Sequence, residues 1–118
     1  MCGIAGIINL NGKIQNISVH VKAMTDAIRH RGPDGEGFLF LHDSEIISAY
    51  GKDTPENVIH SPLNYSPKAS VENVTTENMQ FALGHRRLSI IDVSAAGHQP
   101  MCDSKKIYGL FLTGKFTI

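Results

Sequence analysis

A cysteine at position 2, within Met1-Cys2-Gly3-Ile4-Ala5-Gly6, would become an N-terminal thiol if the initiator methionine were removed. Nucleophile and base would then share one residue, because an α-amino group, whose pKa is about 7.7–8.0, can take the thiol proton directly or through a water. The thiolate is the reactive form, so no separate histidine is required. The plainer reading is a small residue buried at the start of a strand, the commoner fate of a cysteine. Three further segments carry residues of chemical interest: Arg29-His30-Arg31-Gly32-Pro33-Asp34, Gly84-His85-Arg86-Arg87-Leu88-Ser89-Ile90-Ile91-Asp92 and Gly97-His98-Gln99-Pro100-Met101. An arginine beside a Gly-Pro turn is most often part of a solvated loop. Its planar fork can also hold a carboxylate through two parallel bonds, which is what an amino-acid substrate needs.

Those side chains need elements to hold them. Ile4 to Ile8 is a short apolar run closed by the turn cluster Asn9 to Gly12, and reads as a buried strand with Cys2 at its exposed beginning. Ser18 is a candidate N-cap for a helix whose apolar positions Val21, Met24, Ala27 and Ile28 recur at helical spacing until Gly32-Pro33 ends it. Gly37 to Leu41 and Ile46 to Tyr50, joined by a polar segment, predict a hairpin and so a sheet that is at least partly antiparallel. Residues 51–78 are rich in Asn, Pro, Ser and Thr, with Pro55, Pro62 and Pro67 set against regular structure, and read as a surface insertion. Phe81-Ala82-Leu83 and Leu88-Ser89-Ile90-Ile91 read as two strands around a basic turn, Gly84 to Arg87, and Ile107 to Leu112 as a last strand.

Length and composition bound the rest. A chain of 118 residues holds one domain at most. Eleven basic and eleven acidic side chains cancel, which removes the electrostatic case for nucleic acid or an acidic membrane as partner and leaves a small ligand. Two cysteines give no disulfide framework, and six scattered histidines give no metal-site spacing. A reducing cytoplasm is the expected compartment. The chain has no apolar run of membrane-spanning length and no secretory signal, whose cleavage would destroy the arrangement around Cys2.

Taken in order, Met-Cys-Gly-Ile-Ala-Gly, His-Arg-Gly-Pro-Asp, His-Arg-Arg-Leu-Ser-Ile-Ile-Asp and Gly-His-Gln-Pro-Met resemble the glutaminase domain of glutamine-hydrolysing asparagine synthetases, from Met1 to about Ile107. Pro33-Asp34 favours that branch over other class II glutamine amidotransferases. The resemblance implies an α+β fold, the N-terminal-nucleophile sandwich of two antiparallel sheets between helical layers, left incomplete at the C-terminus. It implies that Cys2 attacks the side-chain amide of L-glutamine, forms a thioester and releases ammonia before water regenerates the thiol. By the same resemblance Arg87 grips the substrate's α-carboxylate, Ile90 and Ile91 line the glutamine pocket, and Arg31 supports the site from its loop. His30, His85 and His98 are expected to orient loops, and Cys102 is given no role. No cofactor is expected in this domain. ATP and magnesium belong to a synthetase domain that relatives carry in the same chain and that is absent from these 118 residues. The alternatives are a non-catalytic glutamine-binding or structural remnant, and an amidotransferase domain serving another acceptor.

The last ten residues, 109–118, depart from the family pattern. Where it has Asn-Gly-Glu, supplying the oxyanion donors, this chain reads Thr113-Gly114-Lys115. Loss of one such donor costs on the order of a hundredfold in turnover. A family-like Trp-Ile-Val-Phe-Asn-Gly-Glu-Ile-Tyr-Asn, encoded and then read after loss of one nucleotide, becomes Gly-Leu-Phe-Leu-Thr-Gly-Lys-Phe-Thr-Ile, which is residues 109–118. A frameshift after Tyr108 and a truncated, aggregation-prone, inactive product are therefore expected. The genomic sequence at codon 109 decides the matter: no restored Asn-Gly-Glu on inserting one base would exclude the frameshift.

Overall fold

The computed structural model describes residues 2–42, 45–74, 79–89, 94–102 and 109–110. Nine elements follow in order: β1 (Gly3–Ile8), α1 (Ile17–Ala27), β2 (Gly35–His42), β3 (Glu45–Tyr50), α2 (Glu56–Ile59), β4 (Ala69–Ser70), β5 (Phe81–Arg87), β6 (Met101–Cys102) and β7 (Gly109–Leu110). This is a mixed α+β architecture. Five strands form one sheet in the order β1-β5-β2-β3-β4, antiparallel throughout except for the parallel β3–β4 pair, while β6 and β7 form a separate two-stranded ladder.

Alternation along the strands decides where the core lies. Phe38 and Phe40 of β2 pair with Gly84 and Ala82 of β5 and face α1, where Ile17 and Val21 meet them; Ala49, Val71 and Met79 complete the cluster. Each such side chain taken fully out of water stabilises the fold by about 1.5–3 kcal/mol. The close approach of α1 depends on Gly84, because a Cβ there would run into the Thr25 hydroxyl. That hydroxyl donates instead to the Val21 carbonyl one turn back, at 2.7 Å.

The β2–β3 hairpin forms as expected, with Phe38 opposite Ala49 and His42 opposite Glu45. Several other expectations are corrected. Strand β1 is not buried: it is an edge strand, with Ile4 43% and Ile8 66% exposed, because only alternate residues face α1. Helix α1 begins at Ile17 after Asn16, which lies in the left-handed region and makes no side-chain cap, so Ser18 sits inside the first turn. Its buried face is Ile17, Ser18, Val21 and Thr25, whereas Met24 is 40% exposed. The interior accepts Thr25 because its hydroxyl is satisfied within the helix. Gly84 to Arg87 is no turn but the second half of β5, paired on both sides by β1 and β2. Within 51–74 the prolines do not exclude regular structure: Pro55 precedes α2, and Thr54, Val58, Ser66 and Val71 are buried. Of the expected strand Leu88 to Ile91, Leu88 and Ser89 lie past the end of β5 in no strand, and Ile90 and Ile91 lie outside the described residues, as does the expected strand at 107–112 apart from Gly109–Leu110 in β7. Among the described residues no helix is long and apolar enough to cross a membrane, and no group of three or more His, Cys, Asp and Glu could hold a metal ion.

Candidate active site

Strand β5 carries His85, Arg86 and Arg87 in succession, and a strand must send neighbours to opposite faces. Arg86 goes to the α1 face opposite Glu36; His85 and Arg87 go to the other, opposite Gly37 and Gly35. Sequence reasoning singled out Arg87 and missed Arg86, whose side chain is completely buried. Its Nη1 binds Glu36 Oε2 at 2.7 Å, its Nη2 binds Asp53 Oδ2 at 3.1 Å, and its Nε donates to the Gly32 carbonyl at 3.0 Å. Glu36 also accepts from the Asp53 amide and from Lys22, while Asp53 pairs with Arg29 at 3.1 Å. Burial works to lower the Lys22 pKa, but its bonds to Asp26 and Glu36 outweigh that and leave it above the usual lysine value. The signal was present in the sequence, since two adjacent arginines in a strand cannot share one face. Reading Gly84 to Arg87 as a turn concealed it.

The Gly32 bond is one of several that fasten the loop after α1 to the end of β5. The Asp34 amide donates to the Arg87 carbonyl at 3.0 Å, and Asp34 Oδ2 accepts from the Ser89 amide at 2.8 Å. One residue earlier in that loop, Arg31 Nε donates to the Cys2 carbonyl at 3.2 Å. Cys2 precedes β1, whose first residue, Gly3, is paired with Arg86. Its side chain thereby reaches the next peptide along β5, and the Leu88 amide donates to Cys2 Sγ at 3.3 Å. Cys2 is 7% exposed.

Arg87 is fixed from the turn that precedes β6. Its Nη1 donates to the Ser94 carbonyl at 2.8 Å, and its guanidinium lies where a side chain on residue 97 would have to be, so Gly97 is required for that approach. Tyr65 ties the same turn to the 51–74 segment by donating to the Ala96 carbonyl at 2.6 Å. His98, next along, is buried against Gly37. Desolvation first, then the neighbouring His85 and Arg87 charges, push its pKa from 6.5 down to about 4.

This has a consequence for stability. Between about pH 6.5 and 4 the unfolded chain binds a proton at residue 98 that the folded chain refuses, so stability falls on acidification through that window. The loss is on the order of 3 kcal/mol at full effect. Denaturation midpoints measured from pH 7 to pH 4 should show it, with a shallower fall in His98→Gln; an equal fall in both proteins would exclude His98 as its source.

The structure thus brings Cys2, Arg31 and Arg87 to one end of β5. Ile90, Ile91, Thr113 and Gly114 lie outside the described residues. A cavity of about 400 Å³ sits elsewhere, against β3 and β4, lined by His42, Glu45, Ile47, Ala69, Asn73, Val74 and Met79, and touches neither Cys2 nor Arg87.

Comparison with known proteins agrees with the motifs. A glutamine amidotransferase domain family matches residues 65–116. A Methanocaldococcus jannaschii protein, provisionally named asparagine synthetase (glutamine-hydrolyzing) 2, is 35% identical over 101 residues, which is 86% of this chain and 13% of that protein. A provisionally named glutamine amidotransferase of Methanothermobacter thermautotrophicus is 45% identical over 47% of this chain and 20% of its own length. Asparagine synthetase (glutamine-hydrolyzing) 2 of Bacillus subtilis is 46% identical over 42% of this chain and 7% of its own. The chain therefore spans a fifth or less of the curated relatives it matches. No solved structure matches. By these similarities the chain carries a glutamine amidotransferase domain match and is homologous to glutamine-hydrolysing asparagine synthetases.

Proposed function

We propose that this chain corresponds to the glutaminase part of an asparagine synthetase, with Cys2 as nucleophile. The thiolate attacks the side-chain carbonyl carbon of L-glutamine, the C–N bond breaks, and the leaving nitrogen takes a proton to depart as ammonia. Water then cleaves the thioester, giving glutamate and the free thiol. Arg87 holds the α-carboxylate, Arg31 holds the Cys2 main chain, and Ile90 and Ile91 line the pocket. Thr113 and Gly114 stand at the oxyanion position. ATP and magnesium serve only the synthetase domain, which in relatives accepts the ammonia for amidation of aspartate, and the setting is cytoplasmic. In the complete sandwich a second antiparallel sheet covers the face of the first that carries Ile4 and Ile8.

The observation that carries this reading is the seating of Cys2 between the Arg31 side chain and the Leu88 amide, one strand position from Arg87. A second reading, a non-catalytic remnant, is favoured by Thr113 and by the burial of Cys2 and Arg87. Ammonia release from L-glutamine separates the two. A faint rate is expected from the chain as it stands, raised on the order of a hundredfold in Thr113→Asn by return of an oxyanion donor. No release from either protein would favour the remnant.

A further inference from the structure

The peptide between Arg87 and Leu88 is held at both ends. Its carbonyl accepts from the Asp34 amide at 3.0 Å, and its N–H donates to Cys2 Sγ at 3.3 Å. Accepting a hydrogen bond at the carbonyl polarises a peptide and strengthens the bond its N–H donates. The following amide, that of Ser89, is pinned by Asp34 Oδ2 at 2.8 Å, a charge-assisted bond. Asp34 therefore grips the chain on each side of Leu88, which restrains the direction of the Leu88 N–H. The Asp34 residue is exposed, and among the described residues its carboxylate accepts from the Ser89 amide.

We propose that Asp34 is a positioning residue for the thiol: it aims the Leu88 peptide at Cys2 Sγ, which takes the Leu88 N–H at 3.3 Å and lies 4.0 Å from the Leu88 carbonyl, and so fixes the direction from which the sulfur attacks. The proposal rests on Cys2 as the nucleophile and adds to it a donor separate from the oxyanion site. Among the described residues the charged groups at this end of β5 are Arg31, which bonds the Cys2 carbonyl, Arg87, and Asp34 itself. Of these, Asp34 is the one that bonds the chain on both sides of Leu88.

The test follows the thiol without needing glutamine turnover. Alkylation of Cys2 by iodoacetamide at fixed pH, mapped by mass spectrometry, should slow about three- to tenfold in Asp34→Ala, the worth of one hydrogen bond. Asp34→Asn keeps an acceptor oxygen for the Ser89 amide and should stay within about twofold of the parent. In the parent and in Asp34→Asn the Leu88 amide resonance should shift when Cys2 is alkylated. In Asp34→Ala that response should shrink, with the other β5 amides unmoved. An unchanged alkylation rate in Asp34→Ala, or an Asp34→Asn protein as slow as Asp34→Ala, would overturn the proposal. A chain that alkylates as expected yet releases no ammonia would instead count only against the glutaminase reading.

Discussion

Replacing Arg86 by methionine is expected to lower folding stability by about 3–5 kcal/mol, the cost of stranding one member of a buried ion pair. Glu36 would remain fully buried with Lys22 as its remaining cationic partner, at 3.3 Å, and the Gly32 carbonyl would lose its donor. A domain of this size has only about 5–15 kcal/mol to lose, so a large share of its stability is at stake. Urea denaturation reads the effect as a lower midpoint at constant slope. A double-mutant cycle with Glu36→Gln isolates the pairing, which should couple the two sites by at least about 1 kcal/mol. A midpoint in Arg86→Met within experimental error of the parent would mean that the network is not intact in solution. By contrast the pairs of Lys22 with Asp26 and of His60 with Glu56 are open to water and should each contribute less than about 1 kcal/mol.

Cys2→Ala carries the largest expected effect on chemistry. Ammonia release from glutamine should fall to the uncatalysed background, because no other group of the proposed mechanism can form the thioester. Folding should be nearly indifferent. Cys2 precedes the β1 ladder, and its side chain accepts from the Leu88 amide at 3.3 Å and donates weakly to the Leu88 carbonyl at 4.0 Å, together about 1 kcal/mol or less. The expected pair of results is therefore lost turnover with a denaturation midpoint close to that of the parent. Turnover that survives Cys2→Ala would remove Cys2 from the mechanism. A collapse of stability would make it a structural cysteine, the plainer reading of a buried thiol.

Much of the local structure was legible from the order of residues. The β2–β3 hairpin follows from two alternating apolar runs around a polar turn; helical winding does stop at Gly32-Pro33, although α1 itself ends at Ala27 and only a 3-10 turn over Arg29–Arg31 carries on to Gly32. The errors share a cause. Ile4 to Ile8 looks uniformly apolar, yet an edge strand covered on one face buries alternate residues only. Gly84-His85-Arg86-Arg87 looks like a basic turn by composition. It is a central strand because its two arginines find places that local sequence does not reveal: Arg86 over Glu36 and Asp53, Arg87 against Gly97 and Ser94. Composition likewise placed 51–78 at the surface, and long-range packing drew Val58 and Val71 inside.

What the sequence determined by itself was the inventory and its kinship: a cysteine at position 2, the His-Arg-Gly-Pro-Asp and His-Arg-Arg-Leu-Ser segments, and through them homology to glutamine-hydrolysing asparagine synthetases. Those are properties of residue identity and order. The tertiary structure alone decided which of two adjacent arginines is buried in an ion-pair network, and that Asp34, 32 positions from Cys2, grips the peptide on which the sulfur rests. Strand register and loop docking bring together groups far apart in the chain, and hydrogen bonding and desolvation depend on distance in space, which sequence separation does not fix.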